Sequence, residues 1–361
     1  MTTQPSLSDC RAVIYGAALG SRGGTGVYLS RLLAGFAELD APGIRVTVRG
    51  GLMSPRDALS MDRIAGGFAK AVDEFLLSPR AASSARGAPV HLPAFSGRPP
   101  SGSPVVLTLH DLAFMAHPAW FPLLKGLYYR LHFPRVARRA DLVMADSSFT
   151  AGEAVRFLDL SPSRLRVVPL SPGRKLRGSA SRARARFCGG APYVLSVSTV
   201  EPRKNIPALI EAWRGVAAVR PELRLLVVGR WGWGPRSTRE LLEKTPGVEW
   251  VGALDEDGLA DAYAGAELLV YPSLYEGFGL PPLEAAQAGI PSVLGPAGAL
   301  KEIYSESGAR FCGAAPDSIR DALLETLETP ADPEALREFA GRFSDQGMAR
   351  AAANIYTEVA G

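Results

Sequence analysis

Short apolar runs alternate with stretches of helical periodicity along the 361 residues of this chain. The alternation favours an α/β fold with parallel sheets, because a helix is the usual crossover between parallel strands. In the first half, strands are predicted at residues 11–16, 45–50, 105–110, 142–146 and 165–170. In the second half, strands are predicted at residues 193–199, 223–229, 248–252, 267–273, 290–295 and 309–313.

A basic, turn-rich segment at residues 171–192 separates two α/β series of similar size, so we place a domain linker there. The predicted fold is two doubly wound, Rossmann-like domains that face an inter-domain cleft. The predicted bounds are 1–175 and 176–345, with a C-terminal helix at 346–361 that packs back on the first domain. Residues 78–104 are predicted to be a long loop around one short strand near Val90.

Composition narrows the class of protein. The chain is 47% hydrophobic and 21% charged, which is typical of a globular protein, and its net charge of +4 gives no argument for nucleic acid. Cys10, Cys188 and Cys312 lie far apart, with neither metal-ligand nor disulfide spacing, which favours a reducing cytoplasm. The polar N-terminus has no signal-peptide order, and no apolar run approaches the ~20 residues that span a bilayer. We expect a cytoplasmic protein, soluble or attached to a membrane surface.

Two candidate motifs follow predicted strands of the first half. Gly23 and Gly24 lie in a Gly-rich loop (20–26) before a helix predicted at 27–39, where backbone N–H groups can approach a phosphate. The alternative is a flexible turn without a ligand, since the G-x-G-x-x-G dinucleotide fingerprint is absent. His110 ends the strand 105–110, where an imidazole can exchange a proton or bind a hydroxyl group, or merely end the strand.

The segment Glu201-Pro202-Arg203-Lys204-Asn205 follows the first strand of the second half and is predicted to open a helix. Two adjacent cations at a helix N-terminus oppose the helix dipole. A solvated charged turn would leave this cost without a purpose, whereas a bound diphosphate would be recognised by the Arg203 fork and the Lys204 point charge.

Residues 271–295 place Glu276 and Glu284 on either side of a Gly-Pro turn. Pro281 and Pro282 predict a helix start there, with Glu284 in the first turn. A helix N-terminus attracts phosphate and a loop carboxylate accepts hydrogen bonds from hydroxyl groups, and the two together describe a nucleotide sugar. The alternatives are a helix-stabilising acid, a turn residue, or the acid and nucleophile of a glycosidase, which the parallel-sheet setting disfavours.

Residues 120–139 mix aromatic side chains with five basic ones, and Leu124, Leu127 and Leu131 predict an amphipathic helix interrupted near Pro134. Such a helix can make peripheral contact with an anionic membrane surface. The alternative is a solvated basic face over a buried apolar stripe.

Taken together, these motifs resemble the family 4 retaining glycosyltransferases of the GT-B fold, and in particular their mannosyltransferase-like branch. The resemblance covers most of the chain in the family's order, and EGFGLPPLEA is its most specific element. The motifs that carry it are RGGTGVY, TLHDLAFMAHPAWFP, DSSFTAGE, VLSVSTVEPRKNIPALIEAW, LLVVG and YPSLYEGFGLPPLEAAQAGIPSVLGPAGALKE.

The resemblance implies transfer of a hexosyl group, with mannosyl as one candidate, from a nucleoside-diphosphate sugar to a hydroxyl acceptor with retention of configuration. The acceptor would be a glycan, a lipid-linked saccharide or a natural product. The first domain would bind the acceptor and the second the sugar nucleotide. No cofactor, essential metal or nucleic acid is expected, because cationic side chains and a helix end replace the metal.

The same resemblance implies roles for individual residues. Arg203 and Lys204 would bind the diphosphate, Glu284 would bind the ribose hydroxyls, and His110 would contact the sugar near the reacting carbon. Glu276 would bind the sugar hydroxyls, and with His110, Arg203 and Lys204 it completes the expected catalytic set. The remaining expected ligands of the sugar nucleotide are Gly23, Gly24, Gly277, Phe278, Gly279 and Leu280.

Departures from the family pattern affect three places. Residues 169–173 read PLSPG where the family has Asn-Gly, residues 196–199 lack a common glycine, and Lys301 replaces a frequent proline. Two other enzyme classes are disfavoured: a nucleotide-sugar epimerase would use more histidines, and an NAD-type oxidoreductase would carry the dinucleotide fingerprint. A non-catalytic sugar-nucleotide binding protein would not need all of the catalytic set.

Overall fold

The structure is a computed structural model that describes residues 11–19, 21, 23–61, 72–85, 87–94, 98, 101–172 and 177–361. The chain divides into two compact units. Unit 1 comprises Met1–Ala116, Leu124–Gly173 and Phe343–Gly361, and unit 2 comprises His117–Leu123 and Arg174–Arg342. Residues 117–123, which the sequence-derived bounds left in the first domain, group with unit 2.

The described strands form one sheet in each unit. In unit 1 they are β1 (Ala12–Tyr15), β2 (Ile44–Val48), β3 (Gly51–Met53), β4 (Val90–Leu92), β5 (Val105–Leu109), β6 (Leu142–Ala145) and β7 (Leu165–Val167). In unit 2 they are β8 (Tyr193–Val197), β9 (Arg224–Val228), β10 (Val248–Trp250), β11 (Ala266–Tyr271), β12 (Ser292–Leu294) and β13 (Arg310–Phe311).

The strand order is β3-β2-β1-β4-β5-β6-β7 in unit 1 and β10-β9-β8-β11-β12-β13 in unit 2. All described pairs are parallel except β2 with β3. The inner strands are buried along their whole length, as in β5 and β6, because helices cover both faces of a parallel sheet. The carboxyl ends of these strands lie at one edge of each sheet, and the candidate side chains follow them.

The described α-helices fill the connections between the strands. They are α1 (Gly24–Glu38), α2 (Pro55–Ser60), α3 (Ser78–Ser83), α4 (Ala113–Ala116), α5 (Leu123–Arg139), α6 (Ser148–Leu158), α7 (Ala180–Cys188), α8 (Ile206–Val219), α9 (Arg236–Lys244), α10 (Glu256–Gly265), α11 (Leu280–Ala288), α12 (Leu300–Tyr304), α13 (Pro316–Glu328), α14 (Pro333–Gly341) and α15 (Asp345–Ala360).

Three local predictions were wrong. Helix α5 continues through Pro134, because buried Phe133, Val136 and Ala137 hold both sides of the proline against the unit. The predicted loop 78–104 begins with α3, whose small residues Ala81 and Ala82 are buried. Helix α11 begins at Leu280, so Glu284 lies beyond its first turn, which contains no acidic residue.

A single large side chain organises the core of unit 2. Trp213 of α8 is fully buried, and the surrounding cluster includes Leu209 of the same helix, Leu225 of β9 and Leu323 of α13. The apolar spacing of α8 turns this face onto the sheet, which also sets the position of the loop that precedes the helix.

The C-terminal helix α15 packs on α1 within unit 1. Phe36 and Tyr356 stack at 6.0 Å between ring centroids, and the Tyr356 hydroxyl lies 2.6 Å from Nδ1 of buried His91. The helices approach at Gly35, where a Cβ would overlap the carbonyl oxygen of Asp345. Close packing here therefore depends on the missing side chain.

We predict that Gly35→Ala lowers the free energy of unfolding by about 1–3 kcal/mol, because the added methyl group forces α1 and α15 apart. Gly152→Ala in α6 is the matched control, since a Cβ there meets no neighbouring atom. Chemical denaturation measured by circular dichroism compares the two variants. Equal stability of the two alanine variants would contradict the proposed packing constraint.

Candidate active site

A buried ion cluster lies at the carboxyl ends of two neighbouring strands of unit 2. Arg203 and Lys204 belong to one 3-10 turn after β8, and Glu276 follows β11, the parallel neighbour of β8. The carboxylate of Glu276 accepts from Nη1 of Arg203 at 3.1 Å through Oε2 and from Nζ of Lys204 through Oε1. The structure thus brings Glu276 next to two cations that precede it by more than 70 positions in the chain.

Two further side chains hold the cations of this cluster in place. Oε1 of Glu201 accepts from Nε of Arg203 at 2.5 Å, and the hydroxyl oxygen of Tyr271 accepts from Nζ of Lys204 at 2.8 Å. The backbone N–H of Leu274 also donates to the carbonyl of Arg203 at 2.7 Å. The turn 202–204 is therefore attached to the loop after β11 through main chain and side chains alike.

Charges in this cluster are strongly coupled. Burial alone would raise the pKa of Glu276, but Lys204 and Arg203 outweigh burial and hold its pKa at about 2. Burial lowers the pKa of Lys204 from its ordinary value, and Arg203 lowers it further, against the opposing carboxylate of Glu276. Glu276 is therefore an ionised hydrogen-bond acceptor near neutral pH, which is the state needed to bind hydroxyl groups.

The predicted helix with Arg203 and Lys204 at its start is replaced by a different local structure. The cations lie in the 3-10 turn, Asn205 adopts a left-handed conformation with φ 56°, and α8 begins only at Ile206. The cations are thereby separated from the positive end of the α8 dipole, which reduces the electrostatic cost that the sequence suggested.

Glu284 lies on α11 beside a buried tyrosine of α10. The Tyr263 hydroxyl donates to Oε2 of Glu284 at 2.7 Å and is buried with its ring. This bond fixes one carboxylate oxygen, and the carboxylate can accept more than one hydrogen bond. Glu284 is half-buried, so it can be reached by a ligand.

The start of α11 offers fewer hydrogen-bond donors to an anion than the resemblance implied. Pro281 and Pro282 have no N–H, and the backbone N–H of Leu283 bonds to the Tyr304 hydroxyl. Tyr304 in turn donates to the carbonyl of Gly279 at 2.5 Å. Among the first residues of the helix, Leu280 is therefore the best-placed N–H for a phosphate.

The glycine-rich loop before α11 has a conformation that demands glycine. Gly279 has φ 90°, and a Cβ there would press on Leu300. Phe278 and the preceding Gly277 are both buried. The loop lies between Glu276 and Glu284, as the sequence motif indicated.

In unit 1, His110 directly follows β5 and bonds to two acceptors. Its Nδ1 lies 2.8 Å from Oδ2 of Asp146, which follows the neighbouring strand β6, and its Nε2 lies 3.1 Å from the carbonyl oxygen of Pro93. Two acceptors require two N–H donors, and only the protonated ring supplies both. Burial opposes protonation, but Asp146 and the nearby charge of Asp111 raise the pKa of His110 above its ordinary value.

A buried polar chain connects the surroundings of His110 to the C-terminal helix. Tyr28 of α1 meets the His110 ring edge to face at 4.9 Å, and its hydroxyl lies 2.9 Å from Oγ1 of Thr108. The same Oγ1 lies 2.7 Å from Nε2 of His91, whose Nδ1 faces Tyr356. His110 is therefore held by a network of buried contacts.

Gly23 and Gly24 lie at the start of α1. Gly23 is the N-cap and contributes no side-chain cap, and a Cβ on Gly24 would meet no atom within 4 Å. The space over Gly24 is open to a ligand. The predicted contact of Gly23 and Gly24 with a phosphate or with the acceptor stays a prediction.

Sequence reasoning missed four residues that hold the candidate groups: Glu201, Tyr263, Tyr304 and Asp146. Asp146 carried a usable signal, because it ends a strand next to the strand of His110. Glu201 stood inside a motif already chosen for its cations. The two tyrosines lie on helices and carry no local signal.

Comparison with known proteins identifies the fold of the chain and a family match over part of it. Residues 179–343 match the family model described as Glycosyl transferases group 1. The chain also resembles the crystal structure of Anabaena Alr3699/HepE in complex with UDP and glucose, with TM-score 0.71 and 16% identity over 96% of this chain and 99% of that one. The predicted GT-B fold is thus confirmed, and residues 179–343 resemble the group 1 glycosyltransferases.

The relatives that the chain resembles include bacterial mannosyltransferases, which supports the predicted branch. The chain is 28% identical to O-antigen chain mannosyltransferase B of Escherichia coli over 62% of this chain and 61% of that protein. It is 26% identical to the GDP-mannose-dependent monoacylated alpha-(1-6)-phosphatidylinositol monomannoside mannosyltransferase of Corynebacterium glutamicum, over 67% of this chain and 66% of that protein. The chain thus spans less than two thirds of either relative.

We predict that Asp146→Asn lowers the pKa of His110, because burial then acts without the opposing carboxylate. In the wild type the folded pKa lies above the unfolded value of about 6.5. The stability that it contributes is therefore complete below about pH 6.5 and is lost as pH rises through the folded pKa. NMR titration of His110 and unfolding at several pH values measure both effects.

Asp159→Asn, at the C-terminal end of α6, is the isosteric control, and it should leave the titration of His110 in place. An unchanged pKa of His110 in Asp146→Asn would show that the ion pair does not set its protonation.

Proposed function

We propose that this protein transfers a hexosyl group, in the first instance mannosyl, from a nucleoside-diphosphate sugar to a hydroxyl acceptor. The proposal includes membership of family 4 and retention of the donor's anomeric configuration. The observation that carries it is the buried cluster of Arg203, Lys204 and Glu276 beside Glu284. It combines cations for a diphosphate with ionised acceptors for hydroxyl groups.

In this proposal, sugar-nucleotide binding redistributes the hydrogen bonds of the cluster. The diphosphate takes the positive charge of Arg203 and Lys204, and the Glu276 carboxylate turns part of its accepting capacity to the sugar hydroxyls. Arg203 is the more exposed cation and makes the direct contact, while Lys204 contributes charge from behind it. Both cations stabilise the negative charge that develops on the leaving diphosphate.

The nucleoside is bound farther along the same loop. Glu284, held by Tyr263, accepts hydrogen bonds from the ribose hydroxyls, and the N–H of Leu280 faces the diphosphate with the backbone of Gly277, Phe278 and Gly279. His110 contacts the sugar near the reacting carbon as a fixed imidazolium, and Gly23 and Gly24 border the phosphate or acceptor. The step uses no protein nucleophile, cofactor or essential metal ion.

The wider setting belongs to the same proposal. The two relatives are described as acting on an O-antigen chain and on a phosphatidylinositol mannoside, which supports a glycan or lipid-linked acceptor. GDP, UDP and dTDP are the candidate nucleotides. Among the described helices, none has the length and apolar character to cross a bilayer. We propose a cytoplasmic enzyme that contacts the membrane peripherally through residues 120–139.

The described site favours catalysis over the alternatives. An epimerase of similar architecture and a non-catalytic sugar-nucleotide binding protein would both retain the diphosphate and ribose contacts. A binding protein does not account for the buried pairing of His110 with Asp146 in unit 1, and an epimerase would use more histidines than this chain has. Turnover of a sugar nucleotide in the presence of an acceptor separates the three functions.

We predict that Lys204→Ala and Glu276→Ala each reduce sugar transfer by at least about 10²-fold, because each removes charge from the diphosphate or sugar contact. Removing one partner of a buried pair also costs about 3–5 kcal/mol of stability, so Lys204→Met and Glu276→Gln are tested beside them. Transfer is measured by release of nucleoside diphosphate, and folding by circular dichroism.

Lys244→Ala, an exposed lysine of α9, is the matched control and should transfer sugar at the wild-type rate. Full activity in any folded variant of Lys204 or Glu276 would remove the assignment of this cluster.

We predict that one nucleoside diphosphate raises the melting temperature more than NAD does, with a stabilisation of about 2.7 kcal/mol at a hundredfold excess over Kd. Glu284→Gln should weaken that nucleotide about 10- to 100-fold, since it removes a charged hydrogen-bond acceptor from the ribose. The affinity for the 2′-deoxynucleotide should fall less on the same substitution. Thermal shift titrations of the wild type and of Glu284→Gln measure these affinities.

Glu328→Gln at the end of α13 is the control for this titration. Stabilisation by NAD alone would favour an oxidoreductase, and equal affinities of wild type and Glu284→Gln would remove the ribose contact.

A further inference from the structure

Helix α5 of unit 1 exposes an apolar face in its N-terminal half. The exposed fractions are 76% for Leu123, 80% for Leu124, 43% for Leu127, 49% for Tyr128 and 54% for Leu131. At 100° per residue these five side chains fall within an arc of about 140°. The buried residues Gly126, Phe133, Val136 and Ala137 lie on the opposite side. The predicted leucine stripe is thus exposed, and the alternative of a buried stripe under a basic face is wrong.

The C-terminal half of the same face is basic. Arg135 and Arg138 are exposed and fall in the same arc as the leucines, exposed Arg139 lies about 20° beyond it, and Lys125 and Arg130 flank it. The helix contains no acidic residue. The next carboxylate along the chain, Asp141, accepts from the backbone N–H of Val105 at 2.7 Å. One surface of α5 therefore passes from apolar to cationic along its length.

Neighbouring residues extend the apolar part. Phe75 and Leu76 are exposed by 36% and 51%, and the Phe75 ring lies 6.4 Å from that of His132 on α5. Tyr128 stacks on the same His132 at 5.3 Å. A tyrosine at the edge of an apolar patch suits the boundary between hydrocarbon and water.

We propose that this face of α5, with Phe75 and Leu76, binds the surface of an anionic phospholipid membrane. The leucines enter the boundary between headgroups and acyl chains, and the arginines bind the phosphates. A second copy of the chain is the weaker occupant, because a symmetric contact through this face would oppose two helices of the same positive charge. An anionic bilayer complements both halves of the face at once.

The placement deepens the proposed function, on which its purpose rests, because a docked unit 1 meets acceptors that are anchored in lipid. The docking itself needs no sugar nucleotide. Vesicle binding and sugar transfer to a water-soluble acceptor therefore fail independently of one another.

The experiment is co-sedimentation of the full chain with two kinds of vesicle, at low and high salt. One kind is phosphatidylcholine alone, and the other also contains phosphatidylglycerol. The variants are Leu124→Gln with Leu127→Gln, and Arg138→Gln with Arg139→Gln. The matched controls are Val219→Gln, an exposed apolar residue of unit 2, and Arg236→Gln with Lys244→Gln on α9.

We expect binding to the anionic vesicles, weakened by high salt, and little binding to phosphatidylcholine. The leucine pair should weaken binding about tenfold or more, and the arginine pair about tenfold or more with a smaller dependence on salt. Circular dichroism should show every variant folded. The controls should bind like the wild type.

Two outcomes would overturn the proposal. One is a wild type that stays in the supernatant with anionic vesicles at low salt. The other is a leucine pair that binds vesicles like its control, or that only converts a dimer to a monomer in size-exclusion chromatography with light scattering.

Discussion

The buried carboxylate of Glu276 is the constraint on which the site of unit 2 depends. A lone ion in the interior would cost several kcal/mol, so Glu276 and Lys204 can be buried only together, with half-buried Arg203 beside them. Their pairing connects the loop after β8 to the loop after β11. Glu201 and Tyr271 then orient the cations. A ligand that takes over these interactions must offer negative charge to the cations and hydrogen-bond donors to the carboxylate.

The parallel sheets explain why so much of the fold and site could be predicted from the sequence. Buried strands of a parallel sheet are apolar on both faces, so their runs stand out, and their carboxyl ends share one edge. Arg203, Glu276 and His110 could each be chosen because they lie at the end of such a run or a few residues after it. The strand order was not predicted, because each sheet reverses its order between β1 and β4 or between β8 and β11, and no local run encodes that step.

The remaining parts of the site depend on contacts that no local pattern encodes. Tyr263 and Glu284 are 21 residues apart and meet because α10 packs beside α11. The start of α11 shows the same limit: Pro281 and Pro282 predicted a helix and an anion site together. The Tyr304 hydroxyl, which donates to the carbonyl of Gly279, also takes up the N–H of Leu283, a donor that the anion site would have needed. The sequence signals that start a helix are local, but the hydrogen-bond partners of its end groups come from distant parts of the chain.

The cations of the cluster in unit 2 and the cations of α5 have different surroundings, and these surroundings suit different ligands. Lys204 is buried and Arg203 half-buried against carboxylates, so their positions are set before a ligand arrives and their charges are strong in a low-dielectric setting. The arginines of α5 are exposed and have no carboxylate on their own helix, so salt screens them and a broad anionic surface suits them better than one phosphate. Composition alone could not separate the two groups, since arginine is abundant throughout the chain. Burial distinguishes the two groups, because a charge that is removed from water must be paired with an opposite charge within the fold.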